Sequence, residues 1–190
     1  KILVIAPTMN ENGLGLFYKE AFDRLGCETL MTGALNISPR NSLYGRALNR
    51  LFVNGISKDR THKKHFAILL ETARRFAPDI VITIRCEMLD PSTAAELSSL
   101  CNDRHFNIYP DSPIQIPGVS RALAQDALRE YTAILTFSKA TIPVFYQLGA
   151  RAACWLPFAF DPNRHRPNPT AKKDLELSYF GTWGPAPEYW

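Results

Sequence analysis

Two carboxylates, Glu87 and Asp111, each follow an apolar run that reads as a β-strand. Carboxylates held at one sheet edge could bind sugar hydroxyls or accept a proton as a general base. Asp111 precedes Ser112-Pro113 and suits a loop cap equally well. A second group, Asn12, Gly13 and Gly15, lies in the loop after the first apolar run. The Gly13-Leu14-Gly15 turn stands where a helical pattern begins. Small residues there let backbone N–H groups approach an anion, and the helix dipole favours negative charge. The turn is not G-x-G-x-x-G, because Tyr18 occupies the third position, and no Gly-Lys-Ser/Thr makes it a Walker loop. A turn that simply needs small residues is the competing reading. Ser138, with Lys139, follows a later strand and joins the candidate ligand contacts.

Other chemistries are disfavoured. No Ser-His-Asp order or G-x-S-x-G elbow is present. His62 and His65 are three apart, but Lys58, Arg60, Lys63 and Lys64 surround them and oppose a metal cation. Cys27, Cys86, Cys101 and Cys154 form no C-x-x-C pair, so neither a structural zinc site nor any other metal is expected. They read as reduced, mostly buried thiols, which suits the cytoplasm. No receiver-domain acidic pair follows the first strand, and no nucleic-acid motif appears.

The elements that must position these residues alternate. Ile2-Leu3-Val4-Ile5-Ala6 is a continuous apolar run with β-branched residues, as in a strand buried on both faces. Leu14, Phe17, Tyr18, Ala21, Phe22 and Leu25 recur at helical spacing, and Gly26 stands where that helix stops. Further strands are expected at residues 27–31, 79–84, 106–109, 133–137 and 152–156. Helices are expected at 42–53, from a Thr61 cap to about Phe76, from an Asp90 cap with Pro91 in the first turn to about Cys101, around 123–131, and at 138–148 closed by Gly149. About six strands alternating with helices predict an α/β protein, a Rossmann-like parallel sheet with helices on both faces. Ligands of such sheets bind at the carboxyl ends of the strands, near a topological switch point. That is where Asn12, Gly13, Gly15, Glu87, Asp111 and Ser138 should lie.

The domain organisation expected is one Rossmann-like domain over 1–160, a proline-bearing linker over 161–173, and the first strand and loop of a second, truncated domain over 174–190. At 190 residues with 46% hydrophobic content, the chain can bury a sizeable core. No apolar stretch approaches the length of a membrane span, and no signal-peptide pattern opens the sequence. The net charge of +4 is local: residues 40–75 hold nine Lys/Arg against Asp59 and Glu71 alone. That belt includes Arg46, Arg50, Lys63 and Lys64. It could face phosphates, an anionic membrane surface or only water.

From Phe137 onward the residues become more specific. Thr136-Phe137-Ser138, Leu148-Gly149-Ala150, Leu156-Pro157-Phe158-Ala159-Phe160-Asp161-Pro162 and Ser178-Tyr179-Phe180-Gly181-Thr182-Trp183 follow in this order. This series resembles the CgeB-like (spore-maturation-protein-like) group of GT-B glycosyltransferases, and Asn107 to Pro113 resembles that group's strand ending in Asp-x-Pro. The resemblance implies two facing Rossmann-like domains. The amino-terminal one mainly holds a hydroxyl acceptor and the carboxyl-terminal one mainly a nucleotide-sugar donor, with no metal or other cofactor. Carried over, Gly13 and Gly15 would lie near the donor phosphates or acceptor, and Asp111 would face the cleft. Gly181, Thr182 and Trp183 would form the first donor-side loop. Pro185, Ala186 and Pro187 occupy the stretch where the group often carries an Arg. With most of a donor domain beyond Trp190, the chain alone is expected to transfer no sugar. The rival expectation is a non-catalytic Rossmann-like binding or regulatory module, since fold alone does not decide function.

Overall fold

A computed structural model describes residues 1–7, 13–33, 56–85, 89–110, 126–161, 164–166, 169–170 and 172, with side chains of the 56–76 helix described from Lys63 onward. The chain divides into two compact units, Lys1–Ala159 and Phe160–Trp190. The first unit is built on β1 (Ile2–Ala6), α1 (Leu14–Arg24), β2 (Thr29–Gly33), α2 (Ile56–Phe76), β3 (Ile80–Ile84), α3 (Pro91–Leu100), β4 (His105–Tyr109), β5 (Ala133–Thr136), α4 (Ile142–Gln147) and β6 (Ala153–Trp155). Short 3₁₀ turns at Leu128–Glu130 and Lys139–Thr141 precede β5 and α4.

The six strands form one sheet in the order β2-β1-β3-β4-β5-β6, and every neighbouring pair is parallel. This is the α/β, Rossmann-like architecture that the alternating pattern predicts. Alternation of side chains along each strand divides the core into two layers. Leu3, Ile5, Val81, Tyr109 and Ile134 face one side, with Phe66, Leu69 and Ala73 of α2, Leu97 of α3 and Phe145 of α4 in the same cluster. Ile2, Val4, Ile82, Ile84 and Ile108 face the other, where Leu14, Tyr18 and Phe22 of α1 pack. Helices therefore lie on both faces, and burial of the phenol raises the Tyr18 pKa.

Local signals set most element ends. Gly26 and Gly149 both adopt the left-handed region, at φ 80° and 94°, and close α1 and α4. Asp90 caps α3: its carboxylate accepts from the Thr93 N–H and the Thr93 hydroxyl at 2.9 Å each, and from the Ser92 hydroxyl at 2.5 Å, with Pro91 in the first turn. Partial burial pushes the Asp90 carboxyl up, but these hydrogen bonds outweigh it and hold its pKa below the ordinary value.

Three expectations need correction. Thr61 is not a cap, because α2 already begins at Ile56. Ser57, Asp59 and Thr61 are all capping residue types, yet all three lie within the helix, so a capping residue type alone does not fix a helix start. The second strand starts at Thr29 rather than Cys27, since Cys27 N–H is spent on Phe22 O in the turn that closes α1. Among the described cysteines the thiols are not mostly buried: Cys101 is buried, Cys27 half-buried and Cys154 exposed, and Cys86 lies outside the described residues. Burial raises the Cys101 pKa, against weaker opposing hydrogen bonds. The helix expected at 42–53, residues 123–125 of the one expected around 123–131, and the strand expected within 174–190 lie outside the described residues; Leu128–Glu130 is a 3₁₀ turn. No described helix is long and apolar enough to cross a membrane.

Candidate functional site at the carboxyl edge of the sheet

The chain runs from β1 outward to β2 and then returns to β3 on the other flank of β1. The topological switch point therefore falls between the carboxyl ends of β1 and β3, where open α/β sheets take their ligands. Gly13 and Gly15 follow β1, and Gly15 stands against Ala6 at the carboxyl end of that strand. Gly13 is the N-cap of α1, in an extended conformation, and its carbonyl accepts from Leu16 N–H at 3.0 Å.

Gly15 has a packing role that the sequence reading did not assign. A Cβ there would lie 2.5 Å from Ala6 Cβ and 3.3 Å from Met31 Sδ. The Ala6 methyl is fixed to the strand backbone, so only a glycine lets α1 approach β1 this closely. Hydrogen at position 15 thus sets how closely the amino end of α1 sits against the carboxyl end of β1.

Arg85 directly follows β3, on the other side of the same switch point, and no sequence motif singles it out. It is exposed, has a left-handed φ of 44°, and donates its N–H to Ile108 O at 3.1 Å. A non-glycine residue in that region costs about 1–2 kcal/mol. The bond to β4 shows what holds it there. Its spacing from Gly13 in the sequence gives no signal, because only the parallel pairing of β1 with β3 sets the carboxyl ends of those two strands side by side.

Ser138 follows β5. Three strand spacings separate β5 from β1, roughly 14 Å. A small ligand cannot touch both Gly13 and Ser138, whereas an extended one could. The turn holding Ser138 is tied internally: Thr136 Oγ1 and Thr141 Oγ1 are 2.8 Å apart, Thr141 Oγ1 donates to Ser138 O at 2.8 Å, and Ser138 N–H donates to Thr136 Oγ1 at 3.3 Å. Lys139 and Ser138 are both exposed beyond this frame.

Lys63 and Lys64 are exposed on α2, one turn ahead of Phe66, the first core residue among that helix's described side chains. Because α2 ends next to the amino end of β3, its earlier turns lie toward the carboxyl edge. Asn12, Glu87, Asp111, Gly181, Thr182, Trp183, Arg46 and Arg50 lie outside the described residues. Among the described residues no cluster of His, Cys, Asp and Glu is arranged to hold a metal.

The buried histidine belongs to the frame rather than to the site. His105 Nε2 lies 2.7 Å from Thr83 Oγ1, and Nδ1 lies 3.0 Å from Ser98 Oγ. Ser98 Oγ donates its hydrogen to Glu130 O at 2.7 Å, so it accepts from Nδ1–H. Nε2 then bears the lone pair and accepts from Thr83. The ring also packs edge-on against Tyr131, with centroids 4.6 Å apart. Burial drives the His105 pKa down to about 3, a backbone contact at Ala94 opposing weakly. A neutral ring with both nitrogens engaged ties β3, α3 and the segment before β5 into one body.

Compared with known proteins, the chain matches no protein family and no curated protein. Fold and edge geometry together define the class: a Rossmann-like α/β protein whose candidate ligand-facing surface is the carboxyl edge of a six-stranded parallel sheet.

Proposed function

We propose that the chain is the acceptor-side half of a glycosyltransferase that moves a sugar from a nucleotide-sugar to a hydroxyl acceptor. The observation that carries this reading is where the CgeB-like motif residues fall on the fold. Phe137-Ser138 directly follows β5, Gly149 closes α4 at φ 94°, and the Leu156-Pro157 segment directly follows β6. Each of these three motifs lies at an element end, and two of the three lie on the carboxyl edge. Gly13 and Gly15 add a helix start at the switch point of the same edge, where anionic groups are favoured.

In this reading Gly13, with Asn12, lies against donor phosphate or acceptor oxygens, and Ser138 offers a hydroxyl at the far end of the cleft. Asp111 and Glu87 supply the candidate base, since a hydroxyl acceptor must lose its proton as the new glycosidic bond forms. Gly181, Thr182 and Trp183 serve the donor side. Leaving-group charge is met by helix-end N–H groups and basic side chains rather than a metal. The belt of Arg46, Arg50, Lys63 and Lys64 faces an anionic acceptor or membrane surface. A cytoplasmic setting belongs to the same reading and is supported by the free thiols of Cys27, Cys101 and Cys154.

The test is transfer of labelled sugar from nucleotide-sugars by the whole gene product. Asp111→Asn should lower kcat by about a hundredfold or more if Asp111 is the base. Absence of transfer with any nucleotide-sugar, in a protein that still binds small ligands, would replace the enzyme with a non-catalytic binding module. Arg46→Glu with Arg50→Glu should weaken binding to anionic vesicles or acceptor; unchanged binding would remove the belt from the mechanism.

A further inference from the structure

The ends of β5 and β6 carry a side-chain cluster that the fold does not need. Trp155 is 48% exposed and Phe158 is 74% exposed, although both are large apolar rings. Trp155 is nevertheless held in place. Its Nε1–H donates to Phe137 O at 3.2 Å, and Lys139 Nζ sits 4.1 Å from its ring centroid. Phe158 leans on Phe137, with centroids 3.9 Å apart and planes tilted by 49°. Among the described residues no carboxylate pairs with Lys139, and the Ser138 hydroxyl makes no hydrogen bond. The sheet's carboxyl edge therefore presents a held, half-exposed Trp155 ring and a largely exposed Phe158 ring beside an unneutralised cation and a free hydroxyl.

We propose that Ser138, Lys139, Trp155 and Phe158 form a binding site for a ring-bearing phosphate ester. The two halves of the cluster require the two halves of such a ligand. An exposed aromatic face takes a flat base or the C–H face of a sugar ring, through contacts that are individually weak but directional. An ammonium and a hydroxyl take the phosphate oxygens. The cation–π contact over Trp155 keeps the ammonium near the rings rather than swinging in solvent. An inorganic anion would leave Phe158 unused, and a purely apolar partner would leave Lys139 unused. The site's place, beyond the carboxyl ends of two parallel strands, is where this class of sheet binds ligands. The proposal does not depend on sugar transfer, because this chain alone should bind the ligand.

The experiment is calorimetric titration of the 190-residue chain with adenosine 5′-monophosphate, glucose 1-phosphate, adenosine and inorganic phosphate. At least one phosphate ester should bind saturably and about tenfold or more tighter than inorganic phosphate or adenosine. The nucleotide arm and the sugar-phosphate arm decide whether an aromatic base or a saturated ring occupies the platform. Lys139→Gln and Phe158→Ser should each weaken that binding about tenfold with unchanged circular dichroism, since both side chains are exposed. The proposal is overturned if no ester binds saturably, if inorganic phosphate binds as tightly as the esters, or if both variants bind like the parent. Binding to anionic vesicles that Phe158→Ser abolishes, with no ester binding, would also overturn it and make the cluster a membrane contact.

Discussion

Lowering the pH should destabilise the chain through His105 well before its carboxylates titrate. The ring is fully buried, and its pKa falls from the ordinary 6.5 to about 3. In the unfolded chain it takes up a proton as pH drops through 6.5, whereas in the folded chain it stays neutral. The contribution is thus fully present above 6.5 and is lost progressively as pH falls toward 3. Between 6.5 and 5 the unfolded state gains 1.5 pH units of protonation that the native state cannot match. At 1.36 kcal/mol per unit this is about 2 kcal/mol. For a chain of this size the melting temperature should fall by about 4–8 °C. Urea or thermal unfolding at pH 7.5, 6 and 5 reads the effect directly. His105→Gln retains hydrogen-bonding capacity but cannot titrate, so it should start less stable and lose much less on acidification. Parallel curves for parent and variant between pH 7.5 and 5 would refute the assignment of a neutral, doubly bonded ring.

Gly15→Ala should force α1 away from β1, because its Cβ would meet Ala6 Cβ at 2.5 Å. Overpacking of this kind costs roughly 1–3 kcal/mol, and a melting temperature within a degree of the parent would show that the contact relaxes freely. Asp90→Ala removes three hydrogen bonds at the start of α3 and should cost about 1–2 kcal/mol at neutral pH. The depressed Asp90 pKa adds stability above the ordinary carboxylate value of 3.8 that is lost as pH falls through its lower folded value. Parent and Asp90→Ala should therefore converge in stability at strongly acid pH, and a constant gap across the range would count against the cap.

Much of the architecture was legible along the chain because it rests on short-range physics. The apolar runs at residues 2–6 and 80–84 name strands buried on both faces. Asp90-Pro91 marks a helix start through a cap that its own neighbours complete. Gly26 and Gly149 mark helix ends because left-handed backbone favours a residue without a Cβ. Alternation of such elements is enough to imply a parallel sheet. It also locates the carboxyl-side loops, and so Gly13, Gly15 and Ser138 as candidates.

What linear pattern could not convey is neighbourhood. The strand order 2-1-3-4-5-6 follows from which strands pair, and pairing is a long-range choice among similar apolar runs. Only that order brings Arg85 to the same switch point as Gly13, and only the β5–β6 pairing sets Trp155 beside Phe137 and Lys139. Thr83 and His105 are 22 residues apart, yet adjacent strands place them within 2.7 Å, which turns a lone histidine into a core tie. Gly15 likewise reads as a phosphate-approaching turn in one dimension and as a helix–strand contact in three. Residue types and local spacing thus account for the elements and their ends, since caps, turns and burial periodicity act over a few residues. Chain folding accounts for the partners, since contacts between strands depend on a global arrangement that no single segment encodes.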